Sequence, residues 1–275
     1  MYKSLKPLFR LAVLAVVTSG AFAAGLDTLP DGSINVGPTG SMFTVLSQGD
    51  FNAINDTFTG PSYIKGNVGV GGHANFSASD GTIDGDIYMN SFGTFKTSGP
   101  FRHNGTRFNN ADATLNLALA DANNLSDAAA MEASTSNYTV NGNAQMLTTV
   151  NTGQSMTIAA NPFAGSKVVL NLQDFVLTNG TFTLSASSTS TFIINVSRNF
   201  SINNSSVILS GGIMSSHVLF NVRGTGSQVS LNQGVHLWGV LVALDRNVSL
   251  SGGRVHGRVF ANQFAITSGG QVISE

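Results

Sequence analysis

Acid–base catalysis needs carboxylates or histidines gathered in one place. This chain of 275 residues spreads them thinly: of 14 acidic residues only Asp174, Asp245 and Glu275 follow residue 135. The one acidic group is Asp80-Gly81-Thr82-Ile83-Asp84-Gly85-Asp86. A calcium ion takes about six to eight oxygens, and this run lacks the spacing of an EF-hand loop. It reads as solvated turn carboxylates, with calcium left open. His73, His103, His217, His236 and His256 are scattered, with no H-E-x-x-H pair and no cysteine, so no zinc site is expected. No G-x-S-x-G nucleophile elbow occurs. The run Gly66-Asn67-Val68-Gly69-Val70-Gly71-Gly72 invites a phosphate-binding reading, but no helix follows it, and glycine at chain corners explains it. No catalytic residue, metal ligand or cofactor is expected, and the chain reads as a non-enzyme.

A different chemistry is written in small polar residues. Five short segments align as Phe175-Val176-Leu177-Thr178, Phe200-Ser201-Ile202-Asn203, Val229-Ser230-Leu231-Asn232, Val248-Ser249-Leu250-Ser251 and Phe264-Ala265-Ile266-Thr267. Each alternates apolar with mostly small polar, the pattern of a strand buried on one face and wet on the other. If the segments stack, Thr178, Asn203, Asn232, Ser251 and Thr267 form one outward ladder. Val176, Ser201, Ser230, Ser249 and Ala265 form a second beside it. The candidate binding residues are therefore Thr178, Ser201, Asn203, Ser230, Asn232, Ser249, Ser251 and Thr267, a flat and nearly uncharged face suited to a repetitive ligand. Trp238 is the one tryptophan. Beside Gly239 it reads as a core or helix-facing aromatic, with a surface sugar platform as the alternative.

These ladders need a scaffold that repeats. A companion set precedes them: Val168-Val169-Leu170-Asn171, Phe192-Ile193-Ile194-Asn195, Val218-Leu219-Phe220-Asn221, Gly239-Val240-Leu241-Val242 and Arg258-Val259-Phe260-Ala261, starting 19 to 26 residues apart. That period is the size of one solenoid coil. The companion set is apolar on both faces and so requires an outer cover. Ile64-Lys65-Gly66-Asn67-Val68 and Ile83-Asp84-Gly85-Asp86-Ile87 share an apolar-x-Gly-x-apolar pattern with Val255-His256-Gly257-Arg258-Val259, and read as further coils. One helix is expected near residues 110–133, capped by Asn109 or Asn110, with Asp112 in its first turn. Leu115, Leu119, Ala122, Leu125 and Ala129 give it one flat apolar stripe. About seven coils at ~4.8 Å span about 30 Å, and about 22 helical residues at 1.5 Å span about 33 Å, so the helix can run along the whole column. The expected fold is mainly β: a discontinuous right-handed β-helix with one long α-helix packed along it.

Composition agrees. Only 10% of residues are charged and 42% are hydrophobic, while Ser, Asn and Gly number 32, 27 and 31. This excludes a coiled coil and a charged disordered chain. A net charge of −1 offers no basic field for nucleic acid. Residues 1–23 read as a secretory signal: Lys3, Lys6 and Arg10, then Leu11 to Val17, then Ala21-Phe22-Ala23. Residues 24–41 form an N-terminal segment and residues 42–275 the β-helix domain. The apolar run is too short to span a bilayer, no later stretch is long enough, and no C-terminal sorting signal is seen. An exported protein is expected, extracellular or at the cell surface, with the periplasm as the other compartment.

Leu46-Ser47-Gln48-Gly49-Asp50-Phe51-Asn52 followed by Ile64 to Gly72, and the ending Val218 to Val222, Gly239 to Ala243 and His256-Gly257-Arg258-Val259-Phe260-Ala261-Asn262, resemble the choice-of-anchor A family over about residues 42–275. The layout is also similar to ice-binding-protein-like β-solenoids. The resemblance implies an adhesive β-helix of bacterial exported proteins, acting as a matrix or cell-surface binding module, with ice binding as the alternative function and a carbohydrate-active β-helix enzyme third. The implied partner is an extracellular ligand: a glycan, a matrix or surface protein, or ice. Two departures stand out: none of the family's C-terminal anchors is seen, and no Thr-x-Thr ladder repeats.

Overall fold

The computed structural model describes residues 26, 28–54, 61–143, 146–161 and 167–274. The segment read as a secretory signal lies outside the described residues. The described strands wind into a β-solenoid with three columns of parallel strands, and Tyr138–Val140 adds an antiparallel pairing to Met156–Ala160. The first column runs through Lys167–Leu172, Thr191–Val196, Val218–Val222, the C-terminal parts of Val229–Ala243 and Val248–Ala261, then Phe43–Ser47, Asn67–Val70, Ile87–Met89 and Arg107–Phe108.

The column is not assembled in chain order. Leu46 pairs with Phe260, Phe51 with Phe264, and Ile64 with Val272, so the first and last coils of the chain meet in mid-column. The coil containing Ile64 thus stacks on a C-terminal coil, as its shared glycine pattern required. The column is deeper than the seven coils counted in sequence. The strand Arg107–Phe108, for one, carries too few residues to show alternation. Inside, apolar side chains stack coil on coil; Phe264, Phe51, Phe76 and Phe95 form a continuous ring stack with centroids 4.6–5.8 Å apart.

The first column's outer face is covered by the helix α1, Asp112–Met131. Leu115, Leu119, Ala122, Leu125 and Ala129 are buried against Phe43, Leu46, Val169, Ile193, Leu219, Val240 and Phe260. This is the cover that strands apolar on both faces demand. The Gly69 and Gly71 positions explain themselves here. A Cβ on Gly69 would lie 2.9 Å from Leu115, and one on Gly71 would lie 2.8 Å from Leu119. These two glycines admit the helix; they do not turn corners. Gly257, at φ +143°, does turn one, where a Cβ would meet the Gly239 carbonyl at 2.1 Å.

The expected asparagine cap is corrected. The N-cap is Ala111 with no side-chain bond, because Asn110 takes a left-handed turn at φ 59° and leads the chain into the helix. Asp112 does sit in the first turn, accepting the Ser91 N–H. The helix C-terminal half is held by an asparagine ladder. Asn221, Asn195 and Asn171 donate to the carbonyls of Ser126, Ala129 and Glu132 at 3.0, 2.7 and 2.9 Å. The match is geometric: three helical residues rise about 4.5 Å, and one coil advances about 4.8 Å. Each asparagine also bonds its neighbour, Asn221 to Asn195 and Asn195 to Asn171. Residues 28–41 pack beside the helix, with Asp121 accepting the N–H groups of Thr39 and Gly40.

Candidate functional site

The second column carries the candidate ladder. Phe175, Leu177, Phe200, Ile202, Val229, Leu231, Val248, Leu250, Phe264 and Ile266 point inward and are buried. The residues between them face out. Val176, Ser201, Ser230, Ser249 and Ala265 pair in direct register, as do Thr178, Asn203, Asn232, Ser251 and Thr267. Thr178 is exposed and Ser201, Asn203, Ser230, Asn232, Ser249, Ser251 and Thr267 are half-buried, shielded by neighbours in the coils above and below. The eight candidate residues therefore lie on one face at the regular spacing of stacked strands.

The ladder extends further than the five aligned segments. Ala265 pairs with Asn52, Asn52 with Ser77 and Ser77 with Lys96, while Asn151 pairs with Val176 at the other end. In this nine-residue row only Lys96, at the terminal coil, is charged. Asn52 and Ser77 were hidden because their strands, Phe51–Ile54 and Phe76–Ala78, lie far away in sequence.

The register is held by a corner. The residue following each ladder strand is left-handed: Asn179, Asn204, Gln233, Gly252 and Ser268, with φ between 46° and 64°. Asparagine and glycine enter this region more easily than other residues, and this repeated turn residue is the signal that could have fixed the register from sequence. Asn204 donates to Asn179 Oδ1 at 2.7 Å, continuing the small-polar order around the bend.

The third column contrasts with it. His236, Trp238, Arg254, His256, Tyr63, Lys65 and Asp84 face outward along successive coils, a mixed aromatic and charged surface. Trp238 is neither core nor helix-facing; its ring stacks on His256 at 3.8 Å with 3° between planes. His236 lies 6.0 Å from His256, so three residues scattered in sequence become neighbours. His217 is fully buried, with Nδ1 at 3.1 Å from the Ser190 carbonyl.

The acidic turn residues have separate partners. Asp80 accepts the Gly81 N–H, Asp86 accepts the Thr106 N–H, and Asp84 accepts the Tyr63 hydroxyl. Among the described residues no three His, Asp or Glu side chains are placed to hold a metal ion. Asp174, at the edge of the ladder face, is held below the usual carboxylate range by the Arg198 guanidinium and by bonds from Asn199.

A solenoid of parallel columns with a helix laid along its apolar side and a small-polar ladder on another is a helix-covered β-helix. The chain matches a family model described as "Putative Ice-binding-like adhesive domain" over residues 37–273, and it belongs to that family. Solved structures share the fold. A glycosylated ice-binding protein from an Arctic yeast is similar at a TM-score of 0.57 and 18% identity, covering 86% of this chain and 93% of that one. An ice-binding protein from the Antarctic ascomycete Antarctomyces psychrotrophicus gives 0.55 and 18%, covering 90% and 98%. One from an Antarctic biological consortium gives 0.51 and 19%, covering 92% and 94%. At these identities the likeness is one of fold. No curated protein matches the chain. Among the described residues no helix is long and apolar enough to cross a membrane.

Proposed function

We propose that this chain is an exported, non-enzymatic adhesive module that holds an extracellular ligand on its ladder face. The observation that carries the reading is the uncharged row of Asn151, Val176, Ser201, Ser230, Ser249, Ala265, Asn52 and Ser77, fixed in register over eight successive strands. Such a row presents hydroxyl and amide groups at a fixed interval on a rigid support, so a repetitive ligand meets many groups without ordering any of them first. Glycans of a cell surface or matrix fit this chemistry, and a matrix or surface protein offers the same class of groups. Export is supported by the signal pattern at Lys3 to Ala23, and a bacterial source by the motifs that resemble choice-of-anchor A proteins.

Ice is the second reading, favoured by the regular register of the same row. One experiment separates them. The purified chain is assayed for retention on glycan- and matrix-coated surfaces and, in parallel, for inhibition of ice recrystallisation. Retention without ice activity supports adhesion; ice activity without retention replaces it. Activity in neither assay overturns the ladder reading.

A further inference from the structure

The motif His256-Gly257-Arg258-Val259-Phe260-Ala261 has one member that neither the core nor the ladder employs. Val259, Phe260 and Ala261 are core, Gly257 turns a corner, and His256 stacks on Trp238. Arg258 stands in the wall of a cavity of about 440 Å³, lined also by Ile34, Asn35, Pro38, Ser216 and Ser274. That volume lies in the range of small-ligand pockets, about 300–1,000 Å³.

The guanidinium is only half used. Nη1 donates to the carbonyls of Ser41 and Phe43, both at 2.6 Å. Nε and Nη2 have no hydrogen-bond partner among the described residues. Arg246 shows what a purely structural arginine looks like here: its Nε, Nη1 and Nη2 reach the carbonyls of Gly224, Ser227 and Arg223. Arg258 instead leaves open the Nε–Nη2 edge, the fork that donates to both oxygens of a carboxylate side-on.

Among the described residues that line this cavity there is no carboxylate. Asp31 is turned onto Ser33, accepting its N–H and hydroxyl at 3.0 and 2.7 Å, and Asp121 onto the N–H groups of Thr39 and Gly40. Burial pushes the Arg258 guanidinium below its ordinary value, and no acid among the described residues offsets it. A partly desolvated cation without a described counter-charge beside it favours an arriving anion. Hydroxyl and amide groups of Ser216, Ser274 and Asn35 stand beside apolar Ile34 and Pro38, a mixture suited to a ring that is polar at its edge and apolar on its face.

We propose that this cavity binds a carboxylate-bearing sugar, a uronic acid unit, with Arg258 gripping the carboxylate through its free edge. The cavity lies apart from the ladder, so the inference goes beyond the adhesive reading and stands or falls separately.

The test is calorimetric titration of the full chain at low salt with trigalacturonate, against the neutral maltotriose. Trigalacturonate is expected to bind and maltotriose to bind at least tenfold more weakly. Arg258→Lys keeps the charge but loses the fork and is expected to weaken trigalacturonate at least tenfold. Ser216→Trp fills the exposed rim without touching the Ser41 and Phe43 bonds, so it should cause the same loss at an unchanged melting temperature; it decides the matter if the lysine variant does not fold. Ser230→Tyr with Asn232→Tyr should bind trigalacturonate like the parent, which separates failure of the cavity from failure of the ladder. No binding, equal binding of both sugars, or parent-like binding by Ser216→Trp overturns the proposal. Binding of a free peptide carboxylate in place of the sugar does so too.

Discussion

The helix-covered face and the ladder face are built from the same coils, one strand of each per turn, yet they use opposite means to finish their outer surfaces. On the first, Val169, Ile193, Leu219, Val240 and Phe260 point outward and are buried by α1. On the second, Ser201, Ser230 and Ser249 point outward at equivalent depth in the column and stay half-exposed. The inward residues of both faces are alike, so the core alone does not distinguish them. The outward residues decide which face is a structural seam and which is free to meet a ligand.

The largest effect is expected where that seam is broken. Leu119→Asp places a carboxylate against the apolar strands that Leu119 covers. The cost should be about 3 kcal/mol or more. Thermal or urea unfolding checks it, and an unchanged midpoint would mean that the helix is not an obligatory cover.

A smaller loss is expected from Asn195→Ala. It removes donors to the Ala129 carbonyl and to Asn171 Oδ1, and the acceptor used by Asn221. Leaving these groups unpaired should cost about 1–3 kcal/mol. Urea unfolding measures it, and hydrogen exchange should show faster opening of the helix C-terminal half than of its first turn.

Acid should act on the edges of both faces. Asp174, Asp112 and Asp31 are all held below the ordinary value of 3.8, chiefly by hydrogen bonds from Arg198, Ser91 and Ser33 respectively. A carboxylate whose folded pKa is depressed contributes stability that is complete above its unfolded value and is lost as pH falls through the folded one. The melting temperature should therefore hold through neutral pH and fall below about pH 4. Asp174→Asn should flatten part of that fall, and an unchanged acid profile would remove Asp174 from the account.

The sequence carried much of this in its periods. The alternation in Phe200-Ser201-Ile202-Asn203 and its relatives set the ladder register, and the doubly apolar strands with one Ala-rich helix set the cover. What stayed hidden depended on long-range stacking. Asn52 and Ser77 join the ladder through pairings across more than two hundred residues of chain. Asn171, Asn195 and Asn221 looked like strand ends, although their work is to hold helix carbonyls. Trp238 and His256 became neighbours only because Trp238 pairs with His256 across adjacent coils. Arg258 looked like part of an apolar motif, since nothing in a local pattern reveals which edge of a guanidinium is left without a partner.

The smallest change in stability and the most informative change in function should come from the ladder itself. Ser230→Tyr with Asn232→Tyr raises two rings from the middle of the flat face, at outward strand positions that tolerate aromatics, so unfolding should shift by no more than about 0.5 kcal/mol. Adhesion of this variant to a coated surface, measured beside the parent and beside tyrosine substitutions at remote turn residues, tests the central claim. The account predicts that the ladder variant loses adhesion while the controls keep it. Full adhesion by a folded ladder variant would contradict it.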